Sequence, residues 1–191
     1  KVLTEASTLN RQIAYGEELL TRIAYAKKPA GTMHLQAAAV ESINEVIEKL
    51  TTAAQVPISS VHDLCIAGNT VMSYFLLGMD TRRLEQPTTD ISRDPVLVNA
   101  CSLHLEADPD AYVFLLPAVS RFVGGDAVGD VIASCIPASE ELVLVIDLGT
   151  NGEIMLGNTD WLASVSCASG PAFEGAGISS GMRAMKGSID H

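Results

Sequence analysis

The sequence has no apolar run that approaches the roughly 20 residues needed to span a bilayer. It also does not open with a signal-peptide pattern. Basic residues are scarce, since 12 Lys and Arg stand against 23 Asp and Glu and the net charge is −11. Nucleic acid and anionic membranes repel a protein of that charge. We therefore expect no nucleic-acid partner and no membrane association.

Cysteine and histidine are also sparse. The cysteines lie far apart, at positions 65, 101, 135 and 167, and this spacing fits neither a zinc site nor an iron–sulfur binding run. We expect buried, reduced thiols in a cytoplasmic protein. The histidines, at positions 34, 62, 104 and 191, are scattered and indicate no metal cluster. The sequence also offers no nucleophile–His–Asp arrangement.

The composition that remains is typical of a globular protein. Hydrophobic residues make up 48% and charged residues 18% of the 191 positions, which suffices for one good core or two small ones. Pro137 and Ser139–Glu141 read as a linker, so we predict domains at 1–138 and 139–191. The chain starts at Lys1 and stops at His191 inside what reads as an unfinished element, and we expect a piece of a longer polypeptide.

The first domain reads as helices alternating with strands. Apolar residues at helical spacing predict amphipathic helices over 8–27 and about 33–54. Val61–Ala67 predicts a short buried strand. Asn69 is a suitable N-cap for the helix that follows, and Gly78 closes that helix.

Residues 79–110 are the least regular part of the chain and contain several prolines. Val96–Val98 can form a short edge strand within this stretch, and Tyr112–Leu116 predicts a further strand. A connection of this length is usually either functional or poorly ordered, and the sequence does not distinguish the two.

A hairpin is predicted over Leu142–Gly157. Five apolar residues lead into Asp147, Gly149–Gly152 turns the chain, and Glu153–Leu156 leads back. The first run predicts a buried strand and the second its antiparallel partner, joined by a turn whose residues tolerate positive φ.

This turn has the composition of a phosphate-binding loop. It can direct backbone N–H groups and the side chains of Thr150 and Asn151 toward one anion. Asp147, at the end of the strand, could hold a hydrated divalent cation beside that anion. We predict a magnesium–nucleotide phosphate loop; the alternative is an ordinary tight hairpin in which Asp and Gly serve turn geometry alone.

Two further acidic residues are candidates. Asp126 follows a Gly-Gly pair at the predicted start of a helix, where it could orient a water or a metal, or merely cap the helix. A third strand is predicted over Trp161–Cys167, and Ala168–Ala176 reads as a glycine-bounded turn into a short helix. Glu174 in that turn could reach the phosphate site or only decorate the first helical turn.

The run from Asp147 to Glu153, Asp-Leu-Gly-Thr-Asn-Gly-Glu, resembles the second phosphate motif of the actin-like ATPase superfamily, which includes acetate and sugar kinases, Hsp70 chaperones and actin. The resemblance implies an α/β fold of two ribonuclease-H-like halves with ATP and Mg²⁺ between them. This chain would hold an incomplete first half, without its first hairpin, and the truncated start of the second. Asp126 falls where the first connecting motif supplies a catalytic aspartate in the kinases.

A closer resemblance is to the ATP-dependent reductive activators of corrinoid proteins, which push one electron onto an inactive Co(II) corrinoid and regenerate Co(I) for methyl transfer. The electron usually passes through an N-terminal [2Fe-2S] domain. The resemblance implies that this cluster and the first phosphate hairpin belong to a part of the parent before Lys1. Five segments carry it, in order Asn10–Ile23, Ala67–Met72, Phe122–Asp126, Ile146–Ile154 and Gly170–Gly175.

The resemblance also implies roles for individual residues. We expect Asp126 and Asp147 to be catalytic and to organise Mg²⁺ and water. The partners would be a corrinoid protein of a methyltransferase system and an electron donor, and this fragment alone would be inactive. One alternative is a small-molecule kinase, and another is a non-enzymatic scaffold. The residues expected to bind ATP are Gly149, Thr150, Asn151, Gly152, Glu153, Gly170 and Glu174.

Overall fold

The computed structural model describes residues 1–86, 90–149 and 151–168. They form a mixed α/β structure in two compact units, the first covering Lys1–Gly129 and the second beginning at Asp130. The helices are α1 (Leu19–Ala26), α2 (Gly31–Ala54), α3 (Thr70–Leu76) and α4 (Gly125–Ala133), and the strands are β1 (Asp63–Ile66), β2 (Val96–Asn99), β3 (Tyr112–Leu115), β4 (Val143–Leu148), β5 (Asn151–Gly157) and β6 (Leu162–Ala168). Within these ranges, no helix combines the length and the hydropathy of a membrane-crossing segment.

The first unit is built around a three-stranded sheet of order β1-β3-β2. The central strand β3 pairs in parallel with β1 and antiparallel with β2, which is therefore an edge strand. One face of this sheet packs into a core with the apolar side of α2, where Val113 and Leu115 are almost fully buried. The predicted helix over 33–54, the edge strand and the strand from Tyr112 are confirmed. The strand predicted within 61–67 also forms, but the prediction that it is buried is wrong, because its side chains alternate between exposed and half-buried.

The predicted helix over 8–27 is wrong. The structure has a 3₁₀ turn at Arg11–Tyr15 and then α1, and the two are separated at Gly16. Two competing caps explain the break: Asn10 accepts a hydrogen bond from the N–H of Gln12, and Glu18 and Thr21 form a capping box. The apolar spacing was helical, but each cap starts a separate element.

The caps predicted around α3 are confirmed. The Asn69 side chain accepts a hydrogen bond from the N–H of Val71 at 3.0 Å. Gly78, just past the helix, has φ +64°, a conformation that costs glycine little.

The second unit contains an antiparallel sheet of order β4-β5-β6. The β4–β5 hairpin and the third strand that the sequence predicts are both confirmed. One face of this sheet is covered near Met155, which is 0% exposed, and the 3₁₀ turn Ile136–Ala138 packs against β5.

The prediction that β4 is buried is wrong for the sheet face opposite to the one that carries Met155. Ile146 is 51% and Leu148 is 82% exposed. Side chains alternate between the faces of a strand, and only the face that carries Met155 is covered among the described residues. The continuous apolar run therefore does not mean that both faces are packed in this chain.

The cysteines are unpaired but exposed, so the expectation of buried thiols is wrong. Their placement explains this result. Cys65 and Cys167 lie on strands whose outward faces are uncovered in the described chain, while Cys101 and Cys135 lie in or beside short turns.

Candidate functional site

The turn between β4 and β5 carries the first group of candidate residues. Asp147 lies directly opposite Glu153, and Leu148 lies opposite Gly152. The N–H of Gly149 donates to the carbonyl of Asn151 at 3.0 Å and closes the loop. Gly149 has no left-handed φ, so the tolerance of positive φ is not used there. Its N–H is already paired, and a phosphate would have to compete for it.

Strand β6 supports this turn from the other side of β5. Ser166 lies opposite Glu153, and its hydroxyl donates to Glu153 Oε1 at 2.8 Å. The next residue, Cys167, donates its thiol to the carbonyl oxygen of Gly152 at 3.2 Å. Because directly opposed residues on neighbouring strands share a face, Asp147, Glu153 and Ser166 form one row across the sheet.

The donor set at this row fits a magnesium–nucleotide complex. Asp147 is exposed at the end of its strand, and Glu153 is partly exposed opposite it. Magnesium prefers oxygen ligands and is usually held by one or two carboxylates together with substrate phosphates and water. In the described residues no group of three or more His, Cys, Asp or Glu converges on a metal site, so here the phosphates and water would supply the remaining ligands.

The second group of candidates surrounds Asp126 in the first unit. The turn after β1 and the loop after β3 meet there, because parallel neighbouring strands end at the same edge of a sheet. The N–H of Gly125 donates to the carbonyl of Gly68 at 2.9 Å, and the N–H of Asp126 approaches the same oxygen at 3.4 Å. Ligands of α/β proteins commonly bind at such carboxyl ends.

Asp126 is not the N-cap, because α4 begins at Gly125 and Asp126 lies in its first turn. Its carboxylate accepts a hydrogen bond from the N–H of Ala127 at 2.9 Å. A carboxylate in the first turn also interacts favourably with the helix dipole. The structure therefore gives Asp126 a local role, and its catalytic role stays a prediction.

Sequence reasoning missed the residues that hold the Asp126 loop. A Cβ on Gly124 would lie 2.7 Å from the Cα of Asn69 and equally close to the backbone nitrogen of Thr70. The Thr70 hydroxyl, which is buried, donates to the carbonyl of Ser120 at 2.7 Å. The sequence did indicate that the turn after β1 and the loop after β3 each follow a predicted strand. It did not show that these two strands are parallel neighbours, and this pairing is what brings the loops together.

The other candidates fall outside the described residues. Thr150, in the β4–β5 turn, lies between the described residues 149 and 151, and Gly170 and Glu174 lie beyond residue 168. Their expected contacts with ATP remain predictions. Asp126 lies in the first unit and Asp147 in the second.

Comparisons with known proteins cover nearly the whole chain. Residues 1–139 match the family described as the RACo middle region, and residues 141–191 match the C-terminal domain of RACo, the ASKHA domain. The chain also resembles a solved structure of a reductive activator for a corrinoid, iron-sulfur protein, with a TM-score of 0.82 and 37% identity over 93% of this chain and 29% of that one.

Two curated relatives agree with these matches. The corrinoid activation enzyme RamQ of Eubacterium limosum is 32% identical, over 99% of this chain and 32% of its own length. The [Co(II) methylated amine-specific corrinoid protein] reductase of Methanosarcina barkeri is 29% identical, over 78% of this chain and 29% of its own length. The chain thus spans about a third of each relative. It belongs to the RACo family of reductive activators of corrinoid proteins and carries part of their actin-like ATPase domain.

Proposed function

We propose that the complete protein uses ATP to reduce an inactive Co(II) corrinoid protein to Co(I), the form that accepts a methyl group. One electron from a separate donor reduces the cobalt, and ATP is hydrolysed to ADP and phosphate. Family membership supports this proposal, as do the names of the relatives, which describe corrinoid activation or reduction. The same findings support an activator rather than a small-molecule kinase.

We assign the nucleotide chemistry to the residues predicted from the sequence. Asp147 in the second unit and Asp126 in the first would serve Mg²⁺ and water. Bound Mg²⁺ would neutralise the charge that develops on the transferred phosphoryl group. The turn residues would hold the phosphates through backbone and side-chain donors, as in other preorganised anion sites. The residues proposed to contact ATP are Gly149, Thr150, Asn151, Gly152, Glu153, Gly170 and Glu174.

ATP is needed because the reduction of Co(II) is energetically uphill. A ligand shifts a conformational equilibrium only by its differential affinity for the two states. ATP would therefore have to bind more tightly to the arrangement that alters the surroundings of the cobalt while the electron arrives. Hydrolysis would release that arrangement.

The proposal also includes the organisation and location of the protein. We place most of the first actin-like half at 1–138 and the start of the second at 139–191; the two family matches, at 1–139 and 141–191, support this boundary. The unpaired cysteines are consistent with a reducing cytoplasm. A [2Fe-2S] cluster would belong to another part of the complete protein.

The single observation that carries the proposal is the Asp147 hairpin, which forms within the segment that matches the C-terminal domain of RACo. The test uses the complete protein with Asp147→Asn, which keeps the shape of the side chain and removes its charge. We expect ATP turnover and the absorbance change of Co(II) to Co(I) to fall together, on the order of 10²-fold.

Asp160→Asn is the matched control, because Asp160 is an exposed acidic residue in the turn that joins β5 to β6. It should leave both rates unchanged. Full activity of Asp147→Asn would refute the assignment. ATP-dependent phosphorylation of a small acceptor, without cobalt reduction, would instead establish the kinase alternative.

A further inference from the structure

We propose that Thr70 is a positioning residue that fixes the place of the Asp126 carboxylate at the carboxyl edge of the first sheet. This inference rests on the proposed role of Asp126 in serving Mg²⁺ and water, and it adds a residue from another segment of the chain to that role. Its basis is a set of contacts between the β1–α3 turn (residues 68–70) and the Asp126 loop (residues 120–126).

The β1–α3 turn holds both ends of the Asp126 loop. At one end, the Thr70 hydroxyl donates to the carbonyl oxygen of Ser120 at 2.7 Å. At the other end, the carbonyl oxygen of Gly68 accepts a hydrogen bond from the N–H of Gly125 at 2.9 Å. Because both contacts come from three consecutive residues of one turn, they fix the two ends of the loop relative to each other.

The Asp126 carboxylate lies beside the point where the turn and the loop meet. A Cβ on Gly124 would come within 2.7 Å of both the Cα of Asn69 and Asp126 Oδ1. Oδ1 accepts the hydrogen bond from the N–H of Ala127 at 2.9 Å, whereas Oδ2 accepts none within the described part of the chain. Oδ2 is therefore the oxygen that remains for a metal or a water.

The Thr70 hydroxyl acts on a part of the loop that is held together internally. Thr70 is only 1% exposed. Its acceptor, Ser120, also receives hydrogen bonds on its own side-chain oxygen from the N–H groups of Phe122 at 3.3 Å and Val123 at 3.1 Å. A shift of the Ser120 carbonyl would therefore displace the residues that lead to Asp126. Functional groups must be held to within about 0.5 Å of their productive position, so a small displacement is enough to matter.

The first experiment measures kcat and KM for ATP hydrolysis in the complete protein. Thr70→Val keeps the shape of the side chain and leaves the Ser120 carbonyl without its donor. We expect kcat to fall by about 10- to 100-fold, as for a small misplacement of a reacting group. KM should change far less, because Asp147 and the β4–β5 turn still hold the nucleotide. Thr70→Ser keeps the hydroxyl and should restore kcat.

Thr51→Val is the matched control. Thr51 is a buried threonine of α2, 6% exposed, and its hydroxyl donates to the carbonyl of Ile47 at 2.9 Å. The same atom is replaced in the same unit, but neither the β1–α3 turn nor the Asp126 loop is touched. This variant should keep the kcat of the wild type.

A second measurement needs neither Mg²⁺ nor ATP. The N–H of Ala127 donates to Asp126 Oδ1, so its hydrogen–deuterium exchange reports how firmly the carboxylate is held. Thr70→Val should accelerate this exchange in the ligand-free protein, whereas Thr51→Val should leave it unchanged. Equal exchange at Ala127 in these two variants would overturn the inference.

A double-mutant cycle tests whether Thr70 acts through Asp126. If it does, Thr70→Val should lower kcat no further once Asp126→Asn is present. Should Thr70→Val not fold, Ser120→Ala loosens the same loop and takes its place in the cycle. Additive losses, or a wild-type kcat when only the loop is loosened, would overturn the inference while the role of Asp126 stands. A wild-type kcat in Asp126→Asn would overturn both.

Discussion

Gly124 lies so close to Asn69 that a Cβ on the glycine would come within 2.7 Å of the Cα of Asn69. The same Cβ would also lie 2.7 Å from the Thr70 nitrogen and from Asp126 Oδ1. Two of these three neighbours are backbone atoms that cannot turn aside. We expect Gly124→Ala to lower the free energy of unfolding by about 1–3 kcal/mol and to displace Asp126.

Gly129→Ala is the control for this prediction. Gly129 lies inside α4, where a Cβ would make ordinary contacts of 3.5 Å with Leu116 and 3.6 Å with Ala67. Alanine in a helix interior is favoured over glycine by about 0.5–1 kcal/mol. Urea titrations of the two variants should therefore shift in opposite directions, and a shift in the same direction would contradict the close packing at Gly124.

The buried hydroxyl of Thr70 gives a second prediction. Thr70→Val keeps the shape of the side chain but leaves the Ser120 carbonyl without its donor. We expect a loss of about 1–3 kcal/mol of stability and faster amide exchange at Val123, whose N–H bonds to Ser120 Oγ. Thr70→Ser retains the hydroxyl and should preserve slow exchange. Equal exchange rates in the two variants would show that the hydrogen bond does not hold this loop.

Local patterns predicted the elements whose causes lie within a few residues. The 3.6-residue spacing of α2 and the turn composition after Asp147 act over short distances, and both elements form as expected. The break at Gly16 is also local, but two caps compete there with the apolar spacing. Where two local signals conflict, the pattern alone did not decide between them.

Contacts between distant segments could not be predicted in this way. The approach of Gly125 to Gly68 depends on the parallel pairing of β1 with β3, and the bond from Ser166 to Glu153 depends on the register of β6. Both follow from tertiary pairing. The Asp147 turn could therefore be predicted from the sequence. The residues that support this turn, and those that support the Asp126 loop, could be identified only from the structure.

The two faces of the second sheet should differ in their response to truncation. Met155 is 0% exposed, whereas Leu144, on the other face, is 56% exposed. We expect Met155→Ala to cost about 2–5 kcal/mol and Leu144→Ala less than about 1 kcal/mol, measured by urea unfolding of this chain. If Leu144→Ala lost more stability in the complete protein than in this chain, another segment would cover the face that carries Leu144. If Leu144→Ala and Met155→Ala lost equal stability in this chain, the difference in exposure between the two residues would be contradicted.

The ion network on α2 makes stability depend on pH. Hydrogen bonds from Lys49, Thr8 and Arg11 lower the pKa of Glu45 to about 2 from its usual 4.5. Because the folded-state pKa is lowered, this contribution is fully present above about pH 4.5 and is lost as the pH falls toward 2. The network also ties the N-terminal segment to α2, since Thr8 and Arg11 precede the first helix.

Glu45→Gln should therefore lower the unfolding midpoint at pH 7, and its difference from the wild type should shrink steadily between pH 4.5 and pH 2. Glu48→Gln removes the same charge from an exposed position on the same helix and is the matched control. Thermal unfolding of the three proteins across this range measures the effect. A constant difference in unfolding midpoint between Glu45→Gln and the wild type over the whole range would mean that the carboxylate does not stabilise the fold through its charge. In that case, protonation of Glu45 would neutralise the carboxylate without changing the stability of the protein.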